Sequence, residues 1–301
     1  MSDALGDAWA LRHAVGAVEV PRDVVRASGP DALAFLQGQL SQDLAAMGDG
    51  TSAESLVLQP AGKVDALVRV TRRSADEWLL DVDGGFGGAV AARLGRFKLR
   101  TRCDLEVLDG WRCLAVRGAP GSEVDLAAAG AEVVAPVDWP GLWGADLLGP
   151  DVAVPPGVRR CTSRDAWEAL RIEAGVPRMG AELDERTIPA EAGVVPRAVS
   201  FTKGCYVGQE LVARIDSRGG NVPRHLRGIV VGTNVLPPVG AAVVVDGKAV
   251  GALTSVAESA ERRAPVALAY VGRAVTPPAA ATVAWDGGEV PATVEALPLV
   301  G

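Results

Sequence analysis

The spacing of hydrophobic residues along the first two-thirds of the chain alternates between helix and strand periods. In residues 31–44 the leucines recur at intervals of three and four, which predicts a helix with Asp31 as its N-cap. Two apolar runs flank the turn "PAGK" (60–63) and predict a β-hairpin. A strand over 76–82 and a helix over 87–99 continue the alternation. Because this part of the chain has neither a GxGxxG nor a Walker motif, the pattern favours ferredoxin-like α+β units over a nucleotide-binding fold.

The clearest helical pattern is "TSRDAWEALRIEAG", residues 162–175. Thr162 and Asp165 form a capping-box pattern at its start, and Gly175 supplies the expected stop. After about residue 224 the helical spacing gives way to short strands with DG and DGG turns, which predicts a small β-barrel or sandwich. We therefore divide the chain into an α+β region and a C-terminal β-barrel, residues 1–224 and 225–301.

Composition and net charge exclude some classes of partner. The chain has 301 residues, a net charge of −7 and a pI near 5.0, so it has no bulk attraction for nucleic acid or anionic lipid. The basic stretch "RLGRFKLRTR" (93–102) is interpreted as a solvated helix face. There is no signal-peptide pattern at the N-terminus and no run of about 18 apolar residues. We therefore expect a cytoplasmic protein that makes no membrane or direct nucleic-acid contact.

Four cysteines and two histidines also limit the chemistry. The cysteines are widely spaced, with no CxxC pair, which argues against a zinc site, a resident iron–sulfur cluster or a disulfide framework. We predict no metal site.

One cysteine stands apart. In "SFTKGCYVGQELVARI" (200–215), Cys205 lies between two glycines at the apparent start of a helix. The free N–H groups of a first turn favour a thiolate, and Lys203 is close enough in sequence to add to that effect. The alternative is a small buried side chain at a tight turn, the usual role of a free cysteine. The local residues do not favour either interpretation of Cys205.

Gln209 and Glu210 follow the thiol, and Glu210 is expected to bond the N–H groups of the first turn.

Two residues of the 162–175 helix are also candidates. Glu173 stands in the last turn, where the helix dipole disfavours a carboxylate, so it is suited to a ligand with paired N–H donors. The alternative is a surface glutamate with a weak arginine partner, for which Arg178 is the nearest candidate. Trp167 offers a flat surface for an aromatic ligand, although tryptophan on an amphipathic helix is more often part of the core.

Taken together, these residues resemble a known family. "KGCYVGQE" (203–210) and "RIEAGVPRMGAELDERTIPAEAG" (171–193) are similar to the YgfZ family of folate-binding proteins, relatives of the T-protein (aminomethyltransferase) of the glycine cleavage system. "FLQGQLSQDL", "LQPAGKV" and "GADLLGP" match in the same order, so the resemblance spans nearly the whole chain. The cysteine of the K-G-C-Y-x-G-Q-E string distinguishes this branch from T-proteins, which lack it.

The resemblance implies an α+β fold: a T-protein-like three-lobed ring of two ferredoxin-like α+β lobes with a C-terminal β-barrel, around a channel that binds tetrahydrofolate or a one-carbon derivative. It implies a folate-binding accessory protein that supports assembly or repair of iron–sulfur enzymes, among them a tRNA-modifying one. Cys205 would be the functional thiol, holding a cluster, a persulfide or a one-carbon adduct, with Lys203 beside it.

The resemblance also assigns folate contacts. Glu173 would bind the pterin and Trp167 would lie beside the folate. The remaining cofactor-binding candidates are Tyr206, Gln209 and the basic residues suited to the anionic tail: Arg171, Arg178, Lys203 and Arg214.

Two rival functions stay open. T-proteins carry an Asp-Asp pair after the early hairpin, and here only Asp65 is present. The first rival is a folate-dependent aminomethyl- or methyltransferase that uses Asp65. The second is a ligand-free scaffold whose "KGCYVGQE" turn docks a partner protein.

Overall fold

The computed structural model describes residues 2–301, which form two α+β lobes, a connecting segment (175–223) and a β-barrel. The helices are α1 (Ser2–His13), α2 (Ala32–Gln39), α3 (Gly87–Gly95), α4 (Arg164–Ala174), α5 (Val195–Ala198) and α6 (Gln209–Ser217). The strands are β1 (Val15–Val20), β2 (Arg22–Ser28), β3 (Ser52–Leu58), β4 (Val64–Arg72), β5 (Glu77–Asp83), β6 (Asp104–Val107), β7 (Arg112–Gly118), β8 (Val133–Pro136), β9 (Trp143–Gly149), β10 (Arg159–Cys161), β11 (Arg224–Val231), β12 (Ala242–Val245), β13 (Lys248–Ser259), β14 (Ala264–Gly272), β15 (Ala279–Trp285) and β16 (Gly288–Glu295). Within residues 2–301, none of the helices has the length and apolar character needed to cross a membrane.

Lobe A is a five-stranded sheet in the order β3-β4-β5-β2-β6, accompanied by α2 and α3. The predicted hairpin is confirmed, since β3 and β4 pair antiparallel across the 60–63 turn. The 31–44 helix is shorter than predicted, because the backbone becomes extended at Leu40 and pairs there with Val57. Asp31 is the N-cap residue, but its side chain bonds Arg102 and not the helix. The 87–99 helix likewise ends early, at Gly95.

Lobe B contains the beginning of the chain. Strand β1 pairs antiparallel with β7 and parallel with β10, in a sheet ordered β10-β1-β7-β9-β8. The chain therefore contributes β1 to lobe B, forms lobe A with β2 to β6, and then completes lobe B with β7 to β10. The predicted capping box of α4 is wrong: Ser163, not Thr162, caps the helix by accepting from the Ala166 N–H. The N–H groups of Thr162 and Ser163 both donate to the buried carboxylate of Asp7 on α1. The predicted stop at Gly175 is confirmed, with φ of 73°.

The C-terminal strands close a six-stranded barrel, β11-β14-β13-β12-β15-β16, as the turn pattern predicted. Pairing of β11 with β16 completes the closure and leaves no edge strand. Helix α4 packs against β13 and β14, which ties lobe B to the barrel. The division of the chain after residue 224 stays a prediction.

Lobes A and B meet through buried arginine–aspartate pairs. Arg69 on β4 bonds Asp81 on β5 and, across the lobe interface, Asp146 on β9 at 2.7 Å. Arg117 on β7 binds the other oxygen of Asp146 at 2.8 Å. Burial alone would raise the pKa of Asp146, but the two guanidinium groups outweigh it and hold that pKa well below its usual range. These buried charges neutralise one another, and they hold lobe A against lobe B.

Removing one of these charges is expected to destabilise the contact between lobes A and B. The Asp146→Asn change leaves Arg69 and Arg117 buried without their shared anion, and we expect it to lower the free energy of unfolding by about 3–5 kcal/mol. The folded-state pKa of Asp146 is depressed, so its contribution to stability is present above the unfolded pKa of about 3.9 and is lost as pH falls below it. Urea unfolding between pH 7 and pH 3 should therefore show a weaker acid dependence in the variant. The exposed Asp104→Asn variant is the control, with an expected change within about 0.5 kcal/mol; equal effects of the two would contradict the prediction.

Candidate functional site

The four cysteines differ in their exposure. Cys205 is exposed, whereas Cys103, Cys113 and Cys161 are buried. Burial raises the pKa of the Cys103 and Cys113 thiols, and it raises that of Cys161 to about 11. These three thiols are therefore held neutral inside the protein, and Cys205 is the thiol that solvent and ligands reach. The packing interpretation of Cys205 does not fit this position.

The segment around Cys205 is held against the end of α2 by Lys203. Its ammonium donates to the carbonyl oxygens of Gln37, Leu40 and Gln42 at 2.7, 2.6 and 2.8 Å. A cation at the C-terminal end of a helix is favourably placed, because the free carbonyls there carry partial negative charge. Burial lowers the pKa of Lys203 to about 8. Lys203 thus uses its three N–H groups to fix the backbone around the thiol.

Two further residues of the segment also serve to shape it. The Tyr206 N–H donates to Oε1 of Gln209 at 3.0 Å, and the Tyr206 ring is buried in the core with its centroid 5.2 Å from Nζ of Lys203. Burial raises the pKa of Tyr206 to about 12. Helix α6 begins at Gln209, so the thiol lies in the short loop that precedes the first turn. Arg214 lies exposed on α6.

The loop that carries the thiol, residues 203–208, packs against the 60–63 hairpin turn. Gly208 has φ of 82°, and a Cβ there would stand 2.4 Å from the carbonyl oxygen of Gln59. Gly62 has φ of 79°, and a Cβ there would stand 2.4 Å from Cβ of Leu211. Both turns therefore need glycine for conformation and for space.

On lobe A the same hairpin lines a cleft of about 710 Å³ against α3, which we call the α3 cleft. Its walls are Val57, Gln59, Pro60, Ala61, Asp65 and Ala66 from the hairpin, and Ala89, Val90, Ala92, Arg93, Arg96 and Phe97 from α3 and the residues that follow it. Asp65 accepts a 2.7 Å bond from Nε of Arg93, whose Nη2 donates to the Leu58 carbonyl. Asp65 is therefore ion-paired at the wall of a cleft that is large enough for a small-molecule ligand.

Glu173 lies in a closed environment. Its side chain is 4% exposed; Arg12 of α1 binds one oxygen at 2.6 Å, and the hydroxyl of Ser259 on β13 donates to the other. The adjoining cavity is about 10 Å³, enough for about one water molecule. The expected arginine partner, Arg178, instead lies 3.5 Å from Glu168. The surface-glutamate alternative is wrong, and the structure does not bring Glu173 to a cavity that Cys205 lines.

Arg171 is also enclosed. Its N–H groups donate to Glu168, Glu182, Ser255 and the Val176 carbonyl, which uses all the donors that a guanidinium has. A contact with a folate tail would require at least one of these bonds to break.

Trp167 is half-buried beside a second indole. Its ring centroid is 5.1 Å from that of Trp139, and the guanidinium carbon of Arg117 lies 4.5 Å from the Trp139 centroid and 5.1 Å from that of Trp167. The aromatic pair therefore continues the interlobe charge network, and Trp167 keeps part of its surface open.

The predicted site residues thus fall into two groups. The first contains the thiol loop, helix α6 after it and the hairpin beside it, with Cys205, Lys203, Tyr206, Gln209, Arg214 and Asp65. The second lies on α4, with Trp167, Arg171 and Glu173. The sequence did not indicate Arg93 or Arg96, because the 93–102 stretch has the charge pattern of an ordinary solvated helix face. Nor did it indicate Arg12, which lies 161 residues from its partner Glu173.

Comparison with known proteins shows similarity to glycine cleavage T-proteins in the barrel and in the overall fold. Residues 224–300 match the family described as glycine cleavage T-protein C-terminal barrel domain. The glycine cleavage system aminomethyltransferase T from Bartonella henselae has the same fold, with a TM-score of 0.82 over 99% of this chain and 89% of that one, at 21% sequence identity.

Curated relatives carry several names. An aminomethyltransferase of Streptomyces avermitilis is 28% identical, over 91% of this chain and 83% of its own length. The tRNA-modifying protein YgfZ of Klebsiella pneumoniae is 27% identical, over 64% of this chain and 65% of its own length. An iron-sulfur cluster assembly factor IBA57 homolog of Pyricularia oryzae is 29% identical, over 66% of this chain and 53% of its own length. The expected fold is confirmed, and the chain has homologues among both YgfZ and IBA57 proteins.

The contact between the two turns yields a prediction for glycine substitutions. Gly208→Ala places a methyl group on the Gln59 carbonyl at a left-handed φ, and we expect it to lower stability by about 1–3 kcal/mol and to displace the thiol loop. Gly204→Ala is the matched control, because no heavy atom lies within 4 Å of its added Cβ. Thermal unfolding and the rate of Cys205 alkylation measure the two effects. Similar values for both variants would refute the importance of the contact.

The role of Lys203 yields a second prediction. Lys203→Met keeps the length of the side chain but removes its N–H donors, so three carbonyls at the end of α2 lose their partner. We expect faster amide exchange across residues 200–207 and α2, with little change in the barrel. Lys98→Met, which removes an exposed pair with Asp104, is the control. Unchanged exchange in the Lys203 variant would show that the ammonium does not hold the loop.

Proposed function

We propose that the protein is a folate-binding accessory factor that supports the assembly or repair of iron–sulfur cluster enzymes, with Cys205 as its functional thiol. The observation that carries the proposal is the state of this cysteine. Cys205 is the exposed one among four, and it is held in a fixed loop by Lys203 and by the Gly62–Gly208 contact. A thiol in a solvent-facing, ordered loop is suited to bind a soft metal or sulfur cargo.

The names of the relatives favour iron–sulfur partners. A homologue is named an iron-sulfur cluster assembly factor, and others are named tRNA-modifying proteins. Among residues 2–301 no group of three or more His, Cys, Asp or Glu side chains is arranged to hold a metal ion. In our proposal the cluster is therefore cargo that the client protein supplies or receives, and Cys205 provides one sulfur ligand or nucleophile.

Folate binding is proposed from the fold and from the polar groups at the two halves of the site. Trp167 retains an open aromatic surface, and Arg214 is an exposed cation on α6. Tyr206 and Gln209 contribute by keeping the loop in shape. Glu173 would serve as the pterin acceptor only if the Arg12 guanidinium moved away, since both of its oxygens are occupied. Arg171 is a less suitable tail contact for the same reason.

A second function is favoured by one specific observation. The relative named aminomethyltransferase aligns over 91% of this chain, so folate-dependent one-carbon transfer is a distinct candidate. In that case Asp65 would be the reacting carboxylate at the wall of the α3 cleft, with Arg93 as its ion-pair partner.

The role of Cys205 is tested in cells that lack the protein. We expect aconitase activity after oxidative stress to fall in such cells, and to be restored by the wild-type chain and by Cys103→Ser but not by Cys205→Ser. Cys103 is buried, so its variant controls for the loss of a sulfur atom as such. Full restoration by Cys205→Ser would refute the proposed role of the thiol.

Folate binding and turnover are tested on the purified chain. Tetrahydrofolate should quench the indole fluorescence of the protein in a saturable way, and Trp167→Phe should reduce the quenching. No quenching at millimolar tetrahydrofolate would refute folate binding and favour the scaffold. Turnover of an aminomethyl donor that is lost in Asp65→Asn but kept in Cys205→Ser would favour the transferase instead.

A further inference from the structure

Residues 201–205, which we call the tip, present an aromatic ring and the thiol on one short turn. Phe201 is 48% exposed, and Cys205 is exposed as well. The backbone bends within the tip, so the Cα atoms of these two residues lie less than about 14 Å apart, the span of four extended residues. One partner molecule can therefore contact the ring and the sulfur atom at the same time.

The tip is held at its base by backbone bonds to α2 and the residues that follow it. The Ser200 N–H donates to the Ser41 carbonyl at 2.9 Å, and the Val207 N–H donates to the Gly38 carbonyl at 3.1 Å. Between these two bonds, Lys203 is bonded to three further carbonyls of the same region. The aromatic ring of the tip is therefore exposed on an ordered turn and not on a freely moving segment.

The position of Phe201 distinguishes it from other exposed apolar side chains. Leu99 and Val239 are more exposed, at 83% and 64%, but the exposed thiol lies in the tip. Aromatic side chains contribute strongly to protein–protein binding, because they bury a large apolar area at a small cost in side-chain entropy. An aromatic ring beside an accessible thiol is therefore suited to anchor a protein that the thiol serves.

The charge of the tip limits which partner it fits. Lys203 is its one charged residue, and the ammonium group is bonded to the carbonyl oxygens of Gln37, Leu40 and Gln42. A nucleic acid or an anionic lipid surface is bound by free cations, which the tip does not offer. A charged protein surface would lose hydration against the tip without gaining an ion pair. The tip therefore matches an uncharged, apolar surface.

These features together point to one kind of partner. We propose that the tip docks on a protein with an uncharged apolar pocket, which receives the Phe201 ring beside the atom that the Cys205 sulfur meets. The partner is the iron–sulfur client, so the inference rests on the proposed function. The ring supplies binding and the sulfur supplies chemistry, and mutations can therefore separate the two contributions.

The test uses the full chain in cells that lack it, with aconitase activity after oxidative stress as the readout. Expression is set to the lowest level at which the wild type restores the activity. At that level Phe201→Ala should restore about a tenth of it, because loss of one aromatic anchor weakens binding by about tenfold or more. Phe201→Leu keeps an apolar side chain and should restore most of the activity, whereas Phe201→Asp should restore none.

Overexpression separates a defect of binding from a defect of chemistry. About tenfold more Phe201→Ala protein should restore the activity, because mass action offsets the weaker binding. The same increase in Cys205→Ser should restore nothing, since that variant lacks the sulfur. Leu236→Ala, at a barrel residue that is 50% exposed, is the matched control and should act as the wild type does.

Two measurements on the purified variants show whether the thiol loop is intact. Phe201→Ala should keep the melting temperature within about 2 °C of the wild type, because the ring is half outside the fold. The rate of Cys205 alkylation by iodoacetamide should stay within about twofold. A larger fall in that rate would assign the ring to support of the thiol and overturn docking.

Other outcomes also decide the matter. Full restoration by Phe201→Asp at the lowest expression level, or an equal loss in Leu236→Ala, overturns the inference. Dimerisation of the purified chain or binding to phosphatidylcholine vesicles, if it depends on Phe201, gives the tip another occupant and overturns it too. Restoration by Cys205→Ser refutes the proposed function. An inactive Cys205→Ser together with an active Phe201→Asp overturns only the docking inference.

Discussion

The arrangement of the candidate site depends on the contact between two glycine turns. Gly62 and Gly208 both adopt a left-handed backbone, and each lies so close to the other's turn that a Cβ would collide with it. This approach brings the hairpin of lobe A against the loop that precedes α6. The lysine bonds to the end of α2 then fix the same loop from its other side. With its backbone held at both ends, Cys205 remains ordered although its side chain faces solvent.

The two halves of the predicted site differ in whether their polar groups are free to bind a ligand. On α4, Glu173 and Arg171 have their polar atoms fully occupied by partners from α1, the barrel and the connecting segment. Those bonds join lobe B to the barrel, so their main contribution is to the assembly of the fold. On the hairpin side, the thiol is exposed and the α3 cleft contains a donor without an acceptor. Chemistry that needs an accessible group therefore belongs to the hairpin side.

Much of the architecture could be predicted from the sequence, because local periodicity and turn chemistry define hairpins and short strands. The 60–63 hairpin and the barrel are of this kind. The pairing of β1 with β7 and β10 could not, since those strands lie about a hundred residues or more away and nothing local records their order. The C-terminal end of α2 was wrong for a related reason: the leucine spacing continues beyond the helix, but Leu40 forms a β-bridge with Val57.

The site was predictable only in part. Glycines around a cysteine mark an unusual loop, and the sequence therefore indicated Cys205. The partner of Glu173 was not predictable, because Arg12 comes from the first helix of the chain. Arg93 and Arg96 become distinctive only when Asp65 and the hairpin are placed opposite them.

The most direct measurement of the central claim is mass-spectrometric mapping of the native protein after brief exposure to N-ethylmaleimide. The account predicts a single adduct, on the peptide that contains Cys205, with the other three thiols labelled only after denaturation. Labelling of a second cysteine at a comparable rate, or no labelling of Cys205 in the folded protein, would contradict it.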